Sequence, residues 1–326
     1  MKIVFHYHLA GEYRAEVSAF SARFPADELR IADSDDDAAL LAESADVLVT
    51  ANFALIERAT RLQYLVLPFT GVNSVPRDML EGRGIRLVNN HGNAGAVAER
   101  AVALALAAAG RVAEFDKDLR RGEWHRNPPP APLFDFWTSI EGSAVAILGT
   151  GAIGSGIARR LAGFRCHVTG FRRTNQPARP PHFHEVTSEL HAALKDRLLV
   201  FIALPLTEAT RGLIGERELE LFGGGVLVNV ARGAIVEEEA LYQALASGEL
   251  LAAGLDSWYR SPSPPTARAF PANYPFHELS NVVLSPHAAS HAESGKRGQL
   301  EGVFRNLEAI LSGDSPPDLV DLTQGY

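Results

Sequence analysis

The sequence predicts an α/β fold of two domains, each built on a parallel sheet, and three observations carry that prediction. Short β-branched runs alternate with helical stretches over the first hundred residues, the rhythm of βαβ units. A second alternation of the same kind begins near residue 143. Its first strand runs directly into Gly149-Thr150-Gly151-Ala152-Ile153-Gly154, the glycine pattern of a doubly wound sheet that receives a phosphate.

In chain order, Ile3 to Phe5, Asp46 to Thr50, Tyr64 to Leu67 and Ile85 to Asn89 are the strands expected in the first alternation. Val97 to Arg111 is rich in Ala and Leu and free of Pro, so it reads as a long, largely buried helix connecting the domains. Asn127 to Pro132 holds four prolines and must be a loop. Strands are then expected at Ser143 to Leu148, His167 to Phe171, Leu198 to Ala203, Gly225 to Asn229, Ala252 to Asp256 and Val282 to Leu284. Pro177 to Pro181 and Ser261 to Pro271 read as loops, and Glu293 to Leu311 as a terminal helix. No internal repeat or low-complexity tract interrupts this order.

Composition narrows the function. The 326 residues are 46% hydrophobic and 21% charged with a net charge of −8, which suits two globular domains and argues against a nucleic-acid partner. The only cysteine, Cys166, rules out an intrachain disulfide or a multi-cysteine metal site, so no metal is expected and a cytoplasmic location is. Met1 to Phe5 is too short for a signal peptide. The most apolar stretch, Ala94 to Gly110, carries Glu99 and Arg100, so no membrane span is expected.

The glycine turn has a physical reading at each position. Gly149 permits the tight turn, Gly151 lets backbone approach a pyrophosphate, and Gly154 lets the following helix pack on the strand. The helix start at Ala152 and Ile153 offers N–H groups to the anion. In NAD enzymes the second strand ends in a carboxylate for the ribose 2′-hydroxyl. Here Arg172, Arg173 and Thr174 stand there instead, donors suited to a 2′-phosphate, which favours NADP while leaving NAD possible. The same arginines could also solvate the strand end or stack on adenine.

Two further stretches, Val228-Asn229-Val230-Ala231-Arg232-Gly233-Ala234-Ile235-Val236 and Leu284-Ser285-Pro286-His287, join the glycine turn, Leu204-Pro205-Leu206-Thr207 and Val97-Ala98-Glu99 in sequence order. Together they resemble the D-isomer-specific 2-hydroxyacid dehydrogenases, most of all the glyoxylate/hydroxypyruvate reductase kind, over nearly the whole chain. The resemblance implies two Rossmann-like doubly wound domains with the active site in the cleft between them. The coenzyme domain (99–288) would be inserted into a substrate domain (1–98 and 289–326). A homodimer formed through the coenzyme domain is also implied.

The resemblance implies roles as well. His287 would be the general acid/base, a task that suits an imidazole. Arg232 would hold the substrate carboxylate and polarise the carbonyl, with Gly233 allowing close approach. Backbone around Thr70 and Gly71 would add donors for the carboxylate. Asp256 would accept from the nicotinamide carboxamide, and Leu204, Pro205, Thr210 and Ala231 would line the cofactor. His91 and Asn93 are read equally as selectors of the substrate tail or as plain loop residues.

The family's glutamate partner for the histidine is missing, because its position is Ser261. Serine cannot stabilise imidazolium by charge, so a lowered His287 pKa is expected. Glu278 or Glu99 are the other carboxylates that could take its place. Asn73 stands where many relatives carry aspartate. Two other functions stay open: a nucleotide-sensing regulatory protein of the same fold, and a dehydrogenase of another small anion.

Overall fold

The computed structural model describes residues 1–6, 12–124, 136–174, 178–263 and 266–323. The proline-rich run at 127–132 lies outside the described residues. The described parts of 177–181 and 261–271 carry neither helix nor strand. The chain divides into two compact units, Met1–Asn93 with Glu293–Tyr326, and Ala94–Ala292.

The first unit carries a five-stranded parallel sheet: β1 (Lys2–Phe5), β2 (Glu28–Ile31), β3 (Val47–Val49), β4 (Tyr64–Val66) and β5 (Arg86–Val88), in the order β2-β1-β3-β4-β5. Side chains alternate between its faces, as period two requires. Val4, Leu48, Leu65 and Leu87 enter one core with Ile56 and Leu80. Ile3, Phe5, Val47, Val49 and Val66 enter the other, which the helices Arg14–Ala22 and Glu293–Leu311 complete with Phe20, Leu300, Val303 and Leu307. Both faces are covered, which is why β1, β3 and β4 read as apolar runs.

The second unit carries seven parallel strands: β6 (Ala144–Leu148), β7 (His167–Phe171), β8 (Glu185–Thr187), β9 (Leu199–Ile202), β10 (Val226–Asn229), β11 (Ala252–Leu255) and β12 (Val282–Leu284). Their order is β12-β11-β10-β9-β6-β7-β8. Winding reverses beside β6, between β7 and β9, and open α/β sheets place their ligands at such a switch point. One face packs on the helices Ala94–Ala109 and Ala152–Leu161, the other on Glu216–Glu220 and Glu238–Ser247.

The alanine-rich helix starts three residues earlier than its sequence pattern suggests and lies wholly within the second unit. It does not connect the two. Its small side chains permit close approach: a methyl group at Gly156 would press on Ala98, and one at Gly254 of β11 on Leu104. Among the described residues no helix is long and apolar enough to cross a membrane. No group of three His, Cys, Asp or Glu among them could hold a metal ion.

In the first unit a buried polar link fastens the C-terminal helix to β5. Asn306 donates to the Asn89 carbonyl (3.0 Å) and to Asp318 (3.1 Å), and accepts from the Asp318 N–H (3.2 Å). Asn306→Leu keeps the volume and strands those partners, so urea denaturation should show a loss of about 2–4 kcal/mol. A loss under about 0.5 kcal/mol would contradict this reading.

Candidate active site

Strand register brings the carboxyl ends of six strands in the second unit to one edge. Phe171, Leu148, Ile202, Asn229, Leu255 and Leu284 lie side by side across β7, β6, β9, β10, β11 and β12. At about 4.8 Å per interval the edge spans about 24 Å. Each segment singled out in this half of the sequence leaves the sheet there, so the parallel topology gathers residues that the sequence scatters between 149 and 287.

The glycine turn follows β6. Gly149 has φ +106° and its N–H donates to the Phe171 carbonyl (2.9 Å). A side chain there would collide with the Ala203 carbonyl. At Gly154, which is buried, a methyl group would collide with the Gly149 carbonyl oxygen. Gly151 caps the Ala152–Leu161 helix in extended backbone, and a methyl there would meet only open space. Ala152 is exposed and Ile153 half-buried. Two glycines therefore satisfy packing while the third leaves room above a helix N-terminus, which fits a pyrophosphate.

Arg172, half-buried, and Arg173, exposed, follow β7 one strand away. Arg172 donates from Nη2 to the Ala178 carbonyl (3.0 Å), so it also ties down the segment beyond the strand. After β9, Leu204 is half-buried and Pro205 exposed. The Thr210 hydroxyl donates to the Pro205 carbonyl (2.7 Å) and accepts from the Thr207 N–H (2.8 Å). It pins this loop.

Arg232 follows β10 in extended backbone. The Asn229 side chain shapes its turn, accepting from the Ala231 N–H (3.0 Å) and donating to the Arg232 carbonyl (3.0 Å). Ala231 is buried, and its carbonyl accepts from the Ser257 hydroxyl (2.9 Å) and from Arg232 Nη1 (2.7 Å). Gly233 does allow close approach, but of the Trp258 backbone, which a methyl group would strike. Burial lowers the Arg232 pKa from its usual value; a guanidinium so placed stays charged at neutral pH and is poorly hydrated.

His287 follows β12 with φ +55°, a left-handed conformation unusual for a side-chain-bearing residue. The residues after it explain how it is held. The N–H groups of Ala288 and Ala289 donate to Asp256 Oδ1 (2.9 Å) and Oδ2 (3.0 Å), and the Ser285 hydroxyl donates to Oδ1 as well. Trp258 Nε1 donates to the Ser285 carbonyl (2.8 Å), and Arg100 Nη2 to the Ser285 hydroxyl (3.1 Å). A left-handed residue turns successive N–H groups toward one anion; here that anion is Asp256, buried at 2% exposure.

The Asp256 carboxylate, expected to meet the nicotinamide carboxamide, anchors the loop that carries His287. Nothing in the sequence around Asp256 signals its partners 29 to 33 residues away. Asn229 carries more signal, because an asparagine ending a strand before Val-Ala-Arg-Gly is turn-forming.

Desolvation, then the charges of Arg232 and His291, push the His287 pKa below its usual 6.5, and Asp256 acts in the opposite direction. Ser261 is exposed. Glu99 pairs with Arg160 (3.6 Å) and Glu278 with His277 (3.8 Å). Asp256 is the carboxylate whose charge raises the imidazole pKa, while its hydrogen bonds come from the Ser285 hydroxyl and the backbone of Ala288 and Ala289.

In the first unit, Thr70 follows β4 and donates from its hydroxyl to the Asn90 carbonyl (2.8 Å), while its own carbonyl accepts from Asn89 Nδ2 (2.9 Å). The half-buried Gly71 sits beside this link. His91 pairs with Asp318 (3.1 Å), a tether to the C-terminal segment. Asn93 is buried, and its Oδ1 has no hydrogen-bond partner among the described residues.

Comparison with known proteins agrees with this architecture. Residues 102–289 match the family described as D-isomer specific 2-hydroxyacid dehydrogenase, NAD binding domain. The chain is 33% identical over 270 residues to a glyoxylate reductase of Thermococcus litoralis, covering 82% of this chain and 79% of that one. A D-isomer specific 2-hydroxyacid dehydrogenase of Lactobacillus delbrueckii ssp. bulgaricus, solved with NAD, superposes with TM-score 0.80 at 21% identity, covering 98% and 100% of the two chains. An acyclic imino acid reductase (Bsp5), solved with NADPH and D-Arg, does so with TM-score 0.77 at 23% identity over 98% and 100%. With the glycine turn at the switch point of a seven-stranded parallel sheet, these likenesses establish that the chain belongs to the D-isomer-specific 2-hydroxyacid dehydrogenase family.

Proposed function

We propose that the protein reduces small 2-oxo acids of the glyoxylate and hydroxypyruvate kind, or oxidises the corresponding 2-hydroxy acids, with NADP(H) preferred over NAD(H). The observation that carries this reading is the placement of Arg232 and His287 on the same sheet edge as the glycine turn. The likeness to a glyoxylate reductase supports the substrate class, and Arg172 and Arg173 directly after β7 support the cofactor preference.

Gly151, Ala152 and Ile153 would hold the pyrophosphate, Arg172 and Arg173 the 2′-phosphate, and Leu204, Pro205 and Ala231 the nicotinamide end. The bound dinucleotide supplies the hydride. Arg232 holds the substrate carboxylate and draws electron density from the carbonyl. The backbone of Thr70 and Gly71 adds donors, and Asn93 offers a buried acceptor to a ligand hydroxyl or amide. His287, protonated, gives its proton to the carbonyl oxygen in reduction; neutral, it takes the proton back in oxidation. Asp256 acts through the loop and not on the substrate.

A homodimer belongs to the proposal, supported by the exposed apolar side chains Leu119, Trp124, Phe136 and Trp137 in the second unit. A cytoplasmic location accompanies it, resting on a single cysteine that is free and buried.

Absorbance at the reduced nicotinamide band should show oxidation of NADPH by glyoxylate or hydroxypyruvate, with kcat/KM at least about tenfold above that with NADH. Arg173→Ala, at an exposed position, should erase most of that preference by weakening NADPH use alone. No turnover with either cofactor, or NADH clearly ahead in the unaltered protein, would overturn the proposal.

The His287 shift sets the pH dependence. Reduction needs imidazolium, whose fraction falls as pH rises through a lowered pKa, so kcat/KM for reduction should fall with a midpoint below 6.5. Oxidation should rise through the same region. A midpoint for reduction above about 7.5 would contradict the assignment.

A further inference from the structure

Two consecutive asparagines, Asn89 and Asn90, lie just beyond β5 of the first unit at 4% and 0% exposure. Burying an amide side chain costs free energy unless its polar atoms find partners, so the pair needs a reason beyond filling space. The loop after β4 supplies one. The Asn90 N–H donates to the Phe69 carbonyl (3.2 Å), Asn89 Nδ2 to the Thr70 carbonyl (2.9 Å), and the Thr70 hydroxyl to the Asn90 carbonyl (2.8 Å). Those bonds staple Phe69 and Thr70 to the asparagines.

The C-terminal part of the same unit clamps the asparagines in turn. The Asn89 N–H donates to the Asp318 carbonyl (3.0 Å), and the Asn89 carbonyl accepts from Asn306 Nδ2 (3.0 Å). Asn90 Nδ2 donates to the Gln299 carbonyl, and Asn90 Oδ1 accepts from the Gly92 N–H (2.8 Å). A methyl group at Gly302 would strike the Asn90 side chain, so the helix Glu293–Leu311 lies directly against it. Held this way, the loop has its carbonyl side committed and its donor side open. Thr70 spends both its carbonyl and its hydroxyl on the asparagines, whereas the N–H groups of Thr70 and Gly71 donate to no acceptor among the described residues. Successive backbone N–H groups left open suit an anion.

We propose that Asn89 and Asn90 are positioning residues for carboxylate recognition: by fixing the carbonyl side of the loop at 69–71, they hold its N–H groups ready for the substrate carboxylate. The inference rests on the proposed reduction of 2-oxo acids and on the place given there to Thr70 and Gly71.

Asn89→Ala tests it by removing the donor to the Thr70 carbonyl while keeping the backbone groups of residue 89. A carboxylate contact is made before the chemical step and during it alike, so its loss raises KM and spares kcat. KM should rise at least about tenfold for glyoxylate and for hydroxypyruvate alike, because the two share the carboxylate, with kcat changed less than about threefold. The Kd for NADPH, measured without acid, should move less than about twofold. Thr70→Val loses the bond to the Asn90 carbonyl and should raise KM in the same way, which carries the test if Asn89→Ala folds poorly. Thr70→Ser keeps the hydroxyl and should leave KM within about threefold of the unaltered protein. A KM that neither Asn89→Ala nor Thr70→Val raises, a rise for one acid alone, or a loss carried by kcat overturns the positioning role and leaves 2-oxo acid reduction standing. No reduction of any acid by the unaltered protein overturns both.

Discussion

One buried carboxylate organises the catalytic end of the second unit. Asp256 accepts from Ser285, Ala288 and Ala289, and those donors bracket His287, the proposed general acid/base. Left-handed backbone at a non-glycine residue is strained by about 1–3 kcal/mol and persists only where its surroundings over-determine it. Here they do: the two N–H groups after His287 reach a fixed anion, and the Ser285 before it is gripped from both sides by Trp258 and Arg100. The loop is positioned by the sheet and by the long helix through Asp256, Trp258 and Arg100.

The same carboxylate accounts for how this chain manages without a glutamate at Ser261. Its charge opposes the shift that desolvation and Arg232 impose on His287, yet the net direction remains downward. A hydrogen-bonded glutamate would act on the imidazole directly, whereas Asp256 acts across the backbone it binds. Positioning is retained and charge compensation is partial, which, on the proposed role of His287, places reduction toward acid pH.

Most of the architecture is legible in the sequence because its strands are buried on both faces and therefore read as apolar runs. The glycine turn is legible because packing and open space impose different demands at Gly149, Gly151 and Gly154. Two edge strands escape notice. Glu28–Ile31 alternates polar and apolar residues, and Glu185–Thr187 is short with one exposed end. The start of the long helix is hidden because Gly95 lies in its first turn. Side-chain hydrogen bonds are the least readable layer: Thr210 closing its own loop, Asn229 shaping the turn of Arg232 and Asp256 holding the His287 loop all depend on neighbours that only the fold supplies.

The most direct test of this account separates cofactor binding from chemistry in Asp256→Asn, a substitution that keeps volume but removes the charge and turns one acceptor into a donor. NADPH titration and single-turnover reduction of a 2-oxo acid should be measured on the same preparation. The glycine turn lies three strands from β11, so the Kd for NADPH should move less than about threefold while the rate of the chemical step falls by about 10²-fold. An unchanged chemical step, or a loss confined to NADPH binding, would contradict the claim that Asp256 holds His287 in place.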